Sequence, residues 1–296
     1  MTARVSAVVV NYNAREHLLR CIRSLRAEGL DEIVVADNAS VDGSEAAVRA
    51  ADPEVVYVQT GANLGYGTGC NRGAARTDPA RPYLLCLNAD ALLQPGALAA
   101  MAAVLDARPE VAIVGPRIVD PDGTLYPSVR TFPSLGDAIG HAFLGLVWAG
   151  NPFTRRYRML DHDHERGGDV EWVSGSGFLA RRAAWDAIGG FDEGYFMYAE
   201  DSDLCWRARQ AGWTVTFEPT AEIVHVQGVS TDRHPYRMIA AHHRAILRFA
   251  GRTTTGPRRL LLPVMAVALA VRTPLAWLHR ALAGRARRAG RTEPVG

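Results

Sequence analysis

The sequence has no lysine: all 33 of its basic residues are arginine. It is also poor in cysteine, with four in 296 residues, and Cys21, Cys70, Cys86 and Cys205 form neither a CxxC pair nor a Cys/His cluster. That spacing argues against a disulfide framework and predicts buried free thiols in a reducing compartment. No apolar leader precedes the first strand-like run. "MTARVSAVVVNYN" enters it at once, too early and too short for a signal peptide, so the body of the chain is expected in the cytosol. A basic groove is missing as well. Residues 1–250 carry 24 arginines against 30 acids, and this excess of about six negative charges argues against a nucleic-acid-binding core. No repeat or low-complexity tract appears before residue 251.

What the chain does have is alternation. "VSAVVV" (5–10), "EIVVAD" (32–37), "VVYVQT" (55–60), "YLLCLNAD" (83–90) and "VAIVGP" (111–116) read as strands separated by helical patterns. Pro95 suits the first turn of the helix "PGALAAMAAVLDA". Near-continuous apolar strands alternating with helices predict an α/β fold, with a Rossmann-like, mostly parallel sheet covered by helices on both faces. Ligands of such sheets bind outside the carboxyl ends of the strands. The polar residues obey that rule: Asn11 and Asn13 follow the first strand, Asp37, Asn38 and Ser40 the second, and Asn88 and Asp90 a later one. Singly, each is explained equally well by an Asx-turn or a helix cap. As a set they point to a polar ligand, with a metal as one option.

The second half is less regular. "DPDGTLYPSVRTFPS" reads as a turn followed by extended chain, and 145–168 as an exposed, mobile excursion. Asp161, His162, Asp163 and His164 alternate in a charged loop, which reads as solvated surface rather than a metal cluster. "VEWVSGSGFLARRAAWDAIGG" returns to the core as strand, turn and helix. In "YFMYAEDSDLCWRARQAG" three acids, Glu200, Asp201 and Asp203, open a helix inside an aromatic run. A cap at the helix dipole explains one of them and leaves two. "WTVTFEPTAEIVHVQGVS" predicts two short strands, and from spacing alone its His225 reads as a core or turn histidine more readily than as a ligand. The tail "LLLPVMAVALAVRTPLAWL" (260–278) is long enough to cross a bilayer by count. Its Arg272 and two prolines weaken a simple span, and the arginines of "HRALAGRARRAGR" suit anionic headgroups, so attachment to a membrane surface is favoured. The remaining option is an amphipathic helix packed on the body or on a partner.

Six stretches carry a resemblance together. "VVVNYN" (8–13), "VVADNASVDGS" (34–44), "NLGYGTGCNRG" (63–73), "LLCLNADA" (84–91), "GGFDEGYFMYAEDSDLCWRARQAG" (189–212) and "HVQGVS" (225–230) resemble, in order, a family-2 glycosyltransferase of the GT-A fold, in its rhamnosyltransferase-like branch. The resemblance implies a catalytic domain over 1–250, with a donor half of about 1–118 and an acceptor half of about 119–250, followed by an arginine-rich hydrophobic tail over 251–296. It implies inverting, metal-dependent transfer of a sugar from a nucleotide-sugar. Asp37 then contacts the donor base or ribose, and Asn11, Tyr12, Asn13 and Asn38 line the same pocket. Asn63, Gly65, Gly67 and Asn71 lie in the loop and helix start under the donor. Asn88-Ala89-Asp90 matches the metal motif, with asparagine in place of the usual first aspartate. Asp90 is then the main ligand of Mg²⁺ or Mn²⁺, Asn88 a nearby contact, and His225 a second ligand.

Asp201 matches the base, Glu200 an acceptor-binding or orienting neighbour, and Asp203 a cap or structural acid. Trp172, Gly175 and Ser176 are expected beside the donor sugar or acceptor, with Trp172 offering a stacking face or packing in the core. The implied donor is dTDP-L-rhamnose and the implied acceptor a polyprenyl-diphospho-N-acetylglucosamine, used at the cytoplasmic face of the membrane. UDP- or GDP-sugar donors remain the alternative. A nucleotidyltransferase would want a Gly-rich basic loop where this chain has "NYNAREHLL". Retention of both Asp90 and Asp201 argues against a non-catalytic binding protein. No Q-x-x-R-W motif follows Asp201, so transfer of a single sugar is expected rather than polymerisation.

Overall fold

In the first strand, β1 (Val5–Asn11), every position is buried because both of its faces are covered. Val5, Ala7 and Val9 enter one apolar cluster, while Val8 and Val10 enter another on the opposite face. A computed structural model of the chain describes residues 4–132, 136, 148, 150–157, 164–226 and 235–289. β1 leads into α1 (Arg15–Ala27), whose Leu18, Cys21, Ile22 and Leu25 recur at helical spacing and are buried. Then come β2 (Glu32–Asp37), α2 (Ser44–Ala51), the edge strand β3 (Val56–Gln59), α3 (Tyr66–Ala74) and β4 (Tyr83–Asn88). Glycines let α3 lie close on the sheet: a Cβ at Gly73 would sit 2.4 Å from Val8 Cγ1, and one at Gly69 2.7 Å from Val10 Cγ1.

β5 (Ala91–Leu93), α4 (Ala97–Ala107) and β6 (Val111–Val119) follow. Pro95 lies ahead of α4 rather than in its first turn, because Gly96 turns the chain with φ 85° before the helix begins. Beyond β6 come β7 (Leu125–Tyr126), β8 (Val129–Arg130), α5 (Pro152–Tyr157), β9 (Gly168–Asp169), β10 (Trp172–Val173), β11 (Gly177–Arg181), α6 (Arg182–Ile188), α7 (Glu200–Gln210) and β12 (Thr214–His225). The main sheet runs β3-β2-β1-β4-β11-β6-β12-β5. β3, β2, β1 and β4 are mutually parallel, as are β6 and β12, whereas β11 is antiparallel to both of its neighbours. Helices cover both faces: α1 and α4 on one cluster, α3, α6 and α7 on the other.

Two expectations change. Thr214–His225 forms one long strand, not two short ones; its ladder to β6 is interrupted between Glu218 and Glu222. Pro219 has no N–H to give there, and a bulge absorbs the break. Part of the 145–168 excursion is built into the body. Asn151 is buried and accepts the Thr154 N–H at 2.9 Å to cap α5, and His164 packs edge-on against Phe217. Asp161, His162 and Asp163 lie outside the described residues. All four cysteines are buried free thiols, as the spacing predicts.

The chain divides into two compact units, Met1–Phe196 with Glu200–Ser230, and Met197–Ala199 with Thr231–Gly296. The break expected after residue 250 falls inside α8 (Pro235–Thr253), which packs against α9 (Leu262–Ala289) and belongs with it.

Candidate active site

Parallel register brings the first station together. Asn11 lies opposite Asp37 across β1 and β2, and Val10 lies opposite Asn88 across β1 and β4, so three strand ends carry polar side chains side by side. Asp37 is fully buried. Its carboxylate accepts from Asn11 Nδ2 at 2.7 Å, from the Ser40 hydroxyl at 2.5 Å and from the Ser40 N–H at 2.9 Å. Asn13, in a left-handed conformation (φ 52°), accepts the Val41 N–H, and Asn38 bridges the Gly65 carbonyl and the Thr60 hydroxyl. Local turn bonding therefore accounts for much of this polar set. Asn11 Oδ1 is different: it is buried without a hydrogen bond of good geometry, as is the Tyr57 hydroxyl, which interacts with the Asn11 and Asp37 side chains. Tyr12 is half-buried beside Asn11 in sequence.

The glycine loop has a packing role of its own. Gly65 has φ 89° and ψ 173°, and a Cβ there would stand 1.9 Å from the Phe196 carbonyl oxygen. Asn63 Oδ1 accepts the Gly65 N–H, and a Cβ on Gly67 would press on Phe191 Cβ at 2.9 Å. Asn71 clasps the Phe191 backbone in both directions, at 2.9 Å each. Gly65, Gly67 and Asn71 thus fasten the segment 190–196 to α3, while Asn63 braces the turn that leads into the helix.

At the second station β5 runs antiparallel to β12 with His225 opposite Ala91, which delivers the histidine to Asp90 across 135 residues of sequence. His225 Nε2 is 3.2 Å from Asp90 Oδ1 and 3.4 Å from Asn88 Nδ2, and the Val226 N–H donates to the Asp90 carbonyl. The Asp90–His225 contact is itself a hydrogen bond between a carboxylate and an imidazole, the two donor types that a hard or borderline divalent ion accepts. Among the described residues no group of three or more His, Cys, Asp or Glu side chains surrounds the pair. Residues 227–230 of "HVQGVS" lie outside the described residues.

The third station separates the three acids at the start of α7. Asp203 is fully buried inside the helix, not at its cap; it pairs with Arg207 at 2.7 Å and accepts from the Tyr195 hydroxyl at 3.3 Å. Asp201 is half-buried, and its carboxylate accepts the Gly175 N–H at 2.9 Å and the Ser202 N–H at 2.8 Å. Burial raises its pKa, against the pull of those two donors and of Arg130. Glu200 does not lie open toward an acceptor. It is 6% exposed, its Oε2 has no hydrogen-bond partner, and its field is felt by Tyr66 and Cys70 of α3. Burial, followed by the neighbouring Asp201 charge, pushes its pKa up to about 8. Both carboxyls of the pair are thus shifted upward, and a proton is held most readily on Glu200, the member with no backbone donor beyond its own N–H.

Stations two and three are tied together. The Asn88 N–H donates to the Ser176 carbonyl, while the Gly175 N–H binds Asp201, so the 174–176 turn spans the gap between them. A Cβ at Gly175 would meet Asp201 Cβ at 3.2 Å, close enough to press on the carboxylate. Trp172 is buried, with its indole N–H on the Thr131 carbonyl, and offers its face to Arg130, whose Cζ lies 5.2 Å from the ring centre. It props an arginine, in keeping with the packing alternative. Sequence reading missed Arg130; only the β8–β10 pairing, with Arg130 opposite Trp172, reveals its nearness to Asp201.

The fold and the three stations define a class. Solved structures of the same architecture include a mannosyltransferase from Pyrobaculum calidifontis in complex with GDP-Man and Mn²⁺ (TM-score 0.58, 19% identity, covering 99% of this chain and 76% of that one). Another is GalNAc-T7 with UDP, GalNAc and Mn²⁺ (TM-score 0.57, 16% identity, 76% of this chain and 43% of that one). This is the GT-A fold of glycosyltransferases. The model of the family "Glycosyl transferase family 2" matches residues 6–189, and the chain belongs to that family. It is 40% identical over 261 residues, 84% of either chain, to the N-acetylglucosaminyl-diphospho-decaprenol L-rhamnosyltransferase of Mycobacterium tuberculosis. It is also 37% identical over 98 residues to rhamnosyltransferase WbbL of Escherichia coli, covering 33% of this chain and 34% of that one.

Proposed function

We propose that the protein transfers one L-rhamnosyl residue from dTDP-L-rhamnose, with inversion, to a hydroxyl of a polyprenyl-diphosphate-linked N-acetylglucosamine at the cytoplasmic face of the membrane. The observation that carries the substrate assignment is the 40% identity, over 84% of both chains, with an enzyme whose name states that acceptor and that sugar. Asp201 is the base. As the acceptor oxygen bonds to the anomeric carbon, the carboxylate takes its proton, and the bond from that carbon to the diphosphate breaks on the opposite face, releasing dTDP. The Gly175 and Ser202 N–H groups aim the carboxylate, and the protonated Glu200 adds no second negative charge beside it. A raised pKa brings Asp201 closer to the working pH of a base. Asp90 Oδ1 and His225 Nε2 would hold Mg²⁺ or Mn²⁺, which supplies positive charge for the departing diphosphate. Asn11, Asp37 and the half-buried Tyr12 form the strand-end station that would meet the nucleotide.

The test is a panel of labelled dTDP-, UDP- and GDP-sugars with polyprenyl-diphospho-N-acetylglucosamine, with and without Mn²⁺, on the native protein and Asp201→Asn. Transfer from dTDP-L-rhamnose that falls by about 10²–10⁴-fold in the variant, with dTDP binding retained, is the expected result. Near-native transfer by Asp201→Asn overturns the base assignment, and transfer only from a UDP- or GDP-sugar overturns the donor.

A further inference from the structure

The second unit carries a surface that the transfer chemistry leaves unused. α9 buries Met265 and Leu269, and α8, packed against it, buries Ala245 and Phe249. Polar contacts fix the same pairing. His243 of α8 bonds Thr273 through Nδ1 at 2.7 Å and receives the Arg272 guanidinium at Nε2, while the Trp277 indole N–H donates to the Tyr236 carbonyl at 3.1 Å. On the other side of α9, Val264, Val267, Val271 and Leu275 recur at steps of three, four and four residues. They are 62%, 64%, 57% and 54% exposed, and Leu260, 80% exposed, extends the row. A continuous stripe of exposed valine and leucine marks an interaction surface.

Charge identifies what covers it. Residues 233–292 contain 13 arginines and no aspartate or glutamate. A second copy of the unit would set like charge against like charge, whereas an anionic phospholipid surface is complementary to it. The window Gly256–Trp277 is long and apolar enough to cross a bilayer, with 11% of it buried. Arg272 nevertheless sits within it, tied to α8, and α8 carries Arg237, Arg244, Arg248 and Arg252. A spanning α9 would have to strip Arg272 from His243 or pull a helix with four arginines into hydrocarbon.

We propose that α9 is an in-plane anchor: its Val264–Val267–Val271–Leu275 stripe sinks into the headgroup–acyl boundary of an anionic phospholipid leaflet, and the His243–Arg272 contact holds it parallel to the surface. The inference deepens the membrane-face location in the proposed function and specifies its mode. Amphipathic helices of this kind sit about 5–10 Å into the boundary, with every residue of the apolar face at similar depth.

Single cysteines at Val264, Val271 and Leu275 of the full chain test this directly. The four native thiols are buried, so a thiol-reactive fluorophore labels the new site. Binding is measured to vesicles of phosphatidylglycerol with phosphatidylcholine, and to phosphatidylcholine alone, and depth by quenching from nitroxide-labelled lipids. The expected result is binding to the anionic vesicles only, with equal depth at the three positions. Val267→Glu with Val271→Glu weakens binding at least tenfold and leaves transfer to a detergent-solubilised acceptor unchanged. A depth gradient approaching about 16 Å between Val264 and Leu275, the rise of eleven helical residues, means a span and overturns the proposal. Absence of vesicle binding, or a stripe occluded in a dimer, overturns it too. Loss of transfer with intact vesicle binding would count against the proposed function and leave the anchor standing.

Discussion

Replacing Asp203 with alanine removes the carboxylate partner of a nearly enclosed guanidinium. Asp203 is fully buried and the Arg207 side chain is 16% exposed, with 2.7 Å between them. Arg207 also donates to the Ile188 and Gly190 carbonyls at 2.6 Å each, so it cannot swing out to water without releasing the turn after α6. Stripping one member from a buried pair costs about 3–5 kcal/mol, and the slight exposure of Arg207 favours the lower end, about 3 kcal/mol. In a domain of this size each kcal/mol lowers the melting temperature by about 2–4 °C, which gives a fall of roughly 6–12 °C. Thermal and urea unfolding of Asp203→Ala beside Asp201→Asn measures it. Asp201→Asn should melt within about 1 kcal/mol of the native protein because its oxygen still accepts a backbone N–H. Asp203→Leu with Arg207→Met should recover most of the loss, since an apolar pair avoids the desolvation cost. A melting point for Asp203→Ala within 2 °C of native would refute the reasoning, as would equal destabilisation by the two single variants.

The raised pKa of Glu200 makes stability depend on pH. The folded chain keeps its proton up to about 8, while the unfolded chain releases it near 4.5, so this contribution is complete below 4.5 and is lost as pH rises toward 8. Glu200→Gln should therefore flatten the decline of stability across that window; an unchanged slope in urea titrations at several pH values would show the carboxyl to be ionised in the fold. At the Asp90–His225 pair, His225→Ala should weaken dTDP-dependent Mn²⁺ binding by roughly 10–100-fold, read by electron paramagnetic resonance. Unaltered Mn²⁺ affinity would remove His225 from the ligand set.

The strands and helices of the first half were legible because their apolar periods were unbroken, and the carboxyl-end rule singles out Asn11, Asp37 and Asn88, which the parallel register sets side by side. Asp90 and Asp201 could be singled out only through resemblance, since spacing alone offered a cap as readily. The meaning of "GYGTGCNRG" was not readable. A glycine required by a ligand and a glycine required by a valine look the same in a sequence, and Gly69 and Gly73 turn out to face Val10 and Val8. Trp172 shows the same limit: an indole suited to a sugar is equally suited to an arginine, and the β8–β10 register gives it Arg130.

The sequence by itself determined the alternating α/β architecture, the cluster of polar strand ends, the free thiols and the positively charged apolar tail, because each is a property of local period, composition or chain order. Tertiary structure alone decided which distant groups share a site. It set His225 against Asp90 through an antiparallel pairing, gave Asp201 its Gly175 donor, and closed Glu200 away from solvent. These depend on strand register and on burial, and a shift of one residue in either would turn the same side chains to the other face of the sheet.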